Sequence, residues 1–206
     1  MAYSDFKTLN QALATFNLKL ANQSGLFSSV KAIEPGAKLS EQLAENFDLA
    51  LAIDTEKARS ELIVTPILLE IYRRFRPNLS LFSGVALSVD AAAGLNGECD
   101  FIMSASSNQL EVSTPVLTLV EAKNNNIKSG LGQCTAQMVG AQRFNESQQK
   151  KPIVYGAVTT GAAWRFLRLQ GSQLEIDLTE YFVPTQIATV LGILCQSFLL
   201  FELHTT

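Results

Sequence analysis

Asp100 lies in the segment Gly97-Glu98-Cys99-Asp100-Phe101-Ile102, and Glu121 and Lys123 close the segment Leu117-Thr118-Leu119-Val120-Glu121-Ala122-Lys123. Both segments are short, apolar and partly β-branched, and so read as strands. Side chains alternate across a strand, so Glu121 and Lys123 project from one face; Asp100 joins them if its strand is the neighbour. Two hard carboxylate donors, with the backbone carbonyl of Ala122 between them, suit Mg²⁺ or Mn²⁺, ions that keep several waters and take few protein ligands. Such an ion lowers the pKa of a bound water and neutralises charge on a phosphodiester. Lys123 would orient the attacking water and stabilise developing oxyanion charge. An E-x-K tripeptide alone is weak, and a second acid-x-Lys match, Asp5-Phe6-Lys7, falls on a helix. The bland alternative is a solvated pair at a strand end. Context favours chemistry: the pair follows a buried-type strand, the aspartate follows a Gly-containing turn, and a glutamine-bearing helix comes next.

The elements that must position these residues follow from periodicity. Phe6, Leu9, Leu13, Phe16 and Leu20 predict an amphipathic helix over Asp5–Ala21. A second helix is expected over Ser40–Ile53, with Ser40 as N-cap. A third is expected over Thr55–Phe75, capped by Thr55, kinked or divided at Pro66 and stopped by Pro77. Strands are expected at Leu79–Asp90, Glu98–Ser104 and Pro115–Lys123, the first two joined through Gly94, Asn96 and Gly97. A helix over Gly130–Gln148 precedes strands at Pro152–Thr159, Ala163–Gln170 and Gln173–Leu178, and a helix over Pro184–Leu203 closes the order ααα-βββ-α-βββ-α. This is an α/β (α+β) domain, a central mixed sheet flanked by helices, in which the middle helix crosses over between strands.

On these residues the chain resembles the PD-(D/E)xK nuclease superfamily, which has the restriction-endonuclease-like fold. Asp100 matches the motif aspartate, Glu121 and Lys123 match E-x-K, and Gln133 and Gln137 fall on the following helix, where some branches carry a glutamine motif. Tyr155-Gly156-Ala157-Val158-Thr159-Thr160 and Trp164-Arg165-Phe166 resemble late strands of its type I restriction and related bacterial members. Glu98-Cys99 stands where the motif proline would be. The resemblance covers residues 55–180; 1–54 is a helical extension and 181–206 a C-terminal helix, all within one domain. It implies a divalent-metal-dependent nuclease acting on nucleic acid, DNA first, with Asp100 and Glu121 as ligands and Gln133 or Gln137 assisting. A helix glutamate often completes the metal site in this family; of Glu56, Glu61 and Glu70, Glu61 is the choice here, and Glu98 is a minor candidate. A catalytically silent interaction or assembly module on the same fold is the alternative.

Composition bounds the rest. With 206 residues, 47% hydrophobic and 17% charged, the chain can bury roughly 70% of its unfolded surface and needs no disulfide or metal staple. The net charge of −3 speaks against a duplex binder. Its placement speaks the other way: between Lys123 and Arg168 seven basic residues meet one acid, a local +6 against −9 elsewhere. Lys128, Arg143 and Arg165 are the candidate nucleic-acid contacts in that segment. Asn124-Asn125-Asn126 reads as a loop and Trp164 as core. Cys99, Cys134 and Cys195 form no C-x-x-C pair and read as reduced thiols. The lone histidine, His204, makes Ser-His-Asp and Cys-His mechanisms unexpected. The start Met1-Ala-Tyr-Ser-Asp-Phe-Lys has no apolar core of a signal peptide, so a cytoplasmic protein is expected. No membrane span is expected, and the Pro184–Leu203 helix reads as core, with a homodimer contact as the other option.

Overall fold

The apolar segments assemble into one sheet of eight strands: β1 (Lys19–Gln23), β2 (Ser80–Ala86), β3 (Glu98–Ser104), β4 (Val116–Ala122), β5 (Val154–Thr159), β6 (Ala163–Gln170), β7 (Gln173–Asp177) and β8 (Tyr181–Phe182). The helices are α1 (Leu9–Phe16), α2 (Ala37–Ile53), α3 (Glu56–Arg59), α4 (Thr65–Phe75), α5 (Ile127–Ser147) and α6 (Ile187–Thr205). This computed structural model describes residues 1–205; the side chain of His204 lies outside the described residues. The strand order is β1-β7-β6-β5-β4-β3-β2, with β8 beside β6. β1 with β7 and β4 with β5 run parallel, and the other pairs are antiparallel. Parallel neighbours need a long crossover, which α5 supplies between β4 and β5. Helices α1 and α5 cover one face, and α2, α4 and α6 cover the other, each with its own apolar cluster. The expected mixed sheet flanked by helices is therefore present.

Two strands and several element boundaries differ from the sequence expectation: α2 begins at Ala37 and α5 at Ile127, each three residues early, and β2 ends at Ala86. The first helix stops at Phe16 because Asn17 takes a left-handed conformation, φ 51°, and caps it; asparagine tolerates that region at little cost. The chain then turns into β1, an edge strand against β7, so Leu20 packs no helix face. The short β8 was not legible either. Ser40 is not the cap of α2: Gly36 leads that helix, and the Ser40 hydroxyl donates within the first turn to the Gly36 carbonyl. Thr55 does cap α3, its Oγ1 accepting from the Ala58 N–H at 3.1 Å. Ahead of Pro66 the helix widens into a π-helical segment, Ser60–Val64, that links α3 to α4. Pro66 cannot donate to the carbonyl four residues back and its ring crowds that turn, which a wider turn relieves.

Helix α6 is mainly core: Val190, Leu191, Ile193, Leu194 and Phe198 are buried against the sheet, while Leu199 and Leu203 remain exposed. Trp164 is core as well, its Nε1 donating to the Gly161 carbonyl at 2.9 Å. Among the described residues no helix is long and apolar enough to cross a membrane.

The register of α5 over the sheet is held at its far end by Asn145. This buried side chain accepts from the Val116 N–H at 2.7 Å and donates to the Val116 carbonyl at 2.8 Å, closing the start of β4 ahead of its pairing with β5. Removing both partners leaves two buried backbone groups unsatisfied. Asn145→Ala is expected to lower stability by about 2–4 kcal/mol, measured by urea unfolding; a loss of a few tenths would mean that water replaces the amide.

Candidate active site

Strands β3 and β4 pair with Phe101 opposite Val120 and Ile102 opposite Leu119. Continuing that register places Asp100 opposite Glu121, and opposed residues share a face. Lys123 follows two residues on, just past β4, with its N–H donating to the Thr159 carbonyl of β5 at 2.8 Å. The three side chains thus gather at the C-terminal end of β4, on the face covered by α5. Asp100 Oδ2 accepts from the Ala122 N–H at 2.7 Å, and its other oxygen takes no hydrogen bond among the described residues. Glu121 is fully buried. Its Oε1 accepts from Lys123 Nζ at 2.5 Å and its Oε2 from Gln137 Nε2 at 2.7 Å. Gln133 Oε1 accepts from Lys123 Nζ at 3.4 Å. Gln133 and Gln137, one helical turn apart, therefore each tie α5 to a different member of the E-x-K pair.

Glycine makes this closeness possible. A Cβ at Gly130 on α5 would stand 2.6 Å from Val158 Cγ1 and 3.1 Å from Lys123 Cγ. Only hydrogen there lets α5 approach the end of β4 and hold the lysine stem against Glu121.

The electrostatics follow from burial. Removal from water, with the Asp100 charge next to it, pushes the Glu121 carboxyl up to about 7, against the pull of Lys123 and Gln137. Burial likewise raises Asp100 despite the hydrogen bond from Ala122. For Lys123 burial works downward, but the Glu121 carboxylate outweighs it and holds the ammonium above its ordinary value. The pair is thus an ion pair whose acid member remains strained by desolvation while its base is firmly charged. The three cysteines are buried, unpaired and pushed up by burial, which leaves them thiols rather than nucleophiles.

The other candidates are not all brought together. Glu56, in the first turn of α3, is the helix glutamate whose charge is felt at both Asp100 and Lys123. Glu61 is not brought there: its side chain is 62% exposed and stands 3.8 Å from Lys57. Glu70 is committed elsewhere, to Arg73, Arg74 and the Gly36 N–H. Glu98 is exposed and adds a small upward push on Asp100. Asn126 caps α5, accepting from the Lys128 N–H at 2.9 Å.

The positive wall expected between Lys123 and Arg168 is largely neutralised. Arg143 pairs with Asp90 at 2.8 Å, Arg165 with Glu180 at 2.7 Å and Arg168 with Glu175 at 2.6 Å. With Lys123 held by Glu121, only Lys128, Lys150 and Lys151 of the seven are outside ion pairs among the described residues. Lys128 alone of these stands near the site, since Lys150 and Lys151 precede β5 at the sheet's opposite end.

The donor set fits a hydrated divalent ion better than a closed metal cage. The buried Glu121 and the half-buried Asp100 repel one another, and among the described residues Asp100 keeps one oxygen without a donor and Gln137 Oε1 is buried with no hydrogen-bond partner. An ion that retains its waters would relieve the first and supply donors to the others. Among the described residues no group of three or more His, Cys, Asp or Glu side chains is arranged to hold a metal by itself.

The fold and the site together define a three-layer mixed α/β protein with an Asp–Glu–Lys cluster at the carboxyl end of a central strand. No family model matches the chain, and no curated protein matches it.

Proposed function

We propose that the protein is a divalent-metal-dependent nuclease of the PD-(D/E)xK type, hydrolysing phosphodiester bonds with DNA as substrate. The observation that carries this reading is the meeting of Asp100, Glu121, Lys123, Gln133 and Gln137 at one end of β4. Asp100, Glu121 and the Ala122 carbonyl would hold Mg²⁺ or Mn²⁺, which supplies charge neutralisation and an acidified water. Lys123, kept charged by Glu121, orients the attacking water and stabilises charge on the phosphate oxygens. Gln133 and Gln137 keep the lysine and the glutamate in place from α5. Lys128 contacts the phosphate backbone, and Glu56 adds negative charge beside the metal ligands.

A silent assembly module is the second reading. It is favoured by the fact that both Glu121 oxygens already hold protein donors. Incubation with linear and supercoiled DNA and with RNA, each with Mg²⁺ or Mn²⁺, separates the two, alongside titration calorimetry of each ion. The nuclease reading expects metal-dependent cleavage that stops with chelator, and heat of binding that Asp100→Asn abolishes. Neither cleavage nor ion binding by the wild-type chain would leave the silent module.

A further inference from the structure

A second concavity, of about 440 Å³, opens at the far end of β4 and β5 from the carboxylates. It is within the range of small-molecule sites, roughly 300–1,000 Å³. Leu117, Ile153, Tyr155 and Phe201 form apolar walls, and Lys150 and Lys151 stand among its lining. No carboxylate lines it, and neither lysine enters an ion pair among the described residues. Lys150 is steadied by donating from Nζ to the Thr114 carbonyl at 2.9 Å. Ser197, also in the wall, is satisfied by Thr118 at 2.9 Å. Tyr155 is 5% exposed, and its hydroxyl is turned to the Arg168 guanidinium. Arg168, across the strand pair, tempers the upward push that burial gives this hydroxyl, but its Nε is held by Glu175 at 2.6 Å.

An apolar chamber with two ammonium groups in its lining, neither in an ion pair among the described residues, has the chemistry of a site for an amphipathic anion. No arginine fork lines it, so a singly charged head suits it better than a phosphate monoester. We propose that this cavity binds a small monocarboxylate with a hydrocarbon body, its head at Lys150 and Lys151 and its tail against Leu117, Ile153 and Phe201. The site is separate from the carboxylate cluster and does not depend on the nuclease reading.

The test uses the full chain and octanoate as probe, with octanol and octylamine as comparators, followed by calorimetry and by backbone amide shifts. Octanoate is expected to bind saturably at one site and to shift Ile153 and Tyr155. Octanol, octylamine, and octanoate with the Lys150→Ala/Lys151→Ala variant are each expected to bind about tenfold or more weakly. Both lysines are exposed, so the double variant keeps the fold, which the amide spectrum verifies. Absence of saturable binding, equal binding of octanol, indifference to the double variant, or shifts confined to residues away from the cavity would each overturn the proposal.

Discussion

Lys123→Ala is expected to lower metal-dependent cleavage by about 10²–10³-fold, the loss usual when one preorganised electrostatic stabiliser is removed. Among the described residues Lys123 is the only cation bonded to the buried Glu121, and it is held from the other side by Gln133. Its removal acts twice. The developing charge on the phosphate loses its ammonium, and Glu121 loses the interaction that opposes its desolvation. The glutamate would then ionise only at higher pH, weakening metal capture near neutrality. Raising the pH should therefore restore ion binding in the variant while the rate stays low. Single-turnover cleavage and calorimetry at two pH values read the two effects separately. Cleavage unchanged in Lys123→Ala would end the nuclease assignment.

Glu121→Gln is expected to abolish Mg²⁺ and Mn²⁺ binding and, in the same protein, to flatten the pH dependence of stability. The sign follows from the direction of the shift. Glu121 ionises at about 7 in the folded chain against an ordinary 4.5, so the native state holds this proton more tightly than the unfolded state. Its stabilising contribution is fully present below the unfolded value and is lost as pH rises through the folded one. A shift of that size corresponds to about 3 kcal/mol. Glutamine does not titrate, so between about pH 4 and about pH 8 the variant should gain about 3 kcal/mol relative to wild type. Urea unfolding across that window measures the difference. Parallel profiles would mean that Glu121 titrates as an ordinary carboxyl and that Lys123 fully offsets its burial.

Much of the site could be read from local order. Alternation along a strand puts Glu121 and Lys123 on one face without any knowledge of the fold, and a four-residue helical spacing does the same for Gln133 and Gln137. Thr55 as a cap and Pro66 as a disturbance were equally legible, because both act on their own turn. Asn17 was not: its left-handed conformation ends α1 in a stretch whose apolar spacing suits a helix, and pairing with β7 then captures the residues beyond. The choice among helix glutamates failed for a related reason. Glu56 and Glu61 are equivalent in type and neighbourhood along the chain, and only the docking of α3 sets one of them beside Asp100 and Lys123.

Residue type and short-range spacing thus determine the strands, the helices and the chemistry that Asp100, Glu121 and Lys123 can perform, because those rules act within a turn or between neighbouring side chains. Tertiary structure alone decides which charges survive. Asp90, Glu175 and Glu180 lie outside the basic run that they neutralise, or are brought to it across strands. A count along the chain therefore overstates the positive field at the site, since Coulomb attraction depends on distance in space and not on separation in sequence.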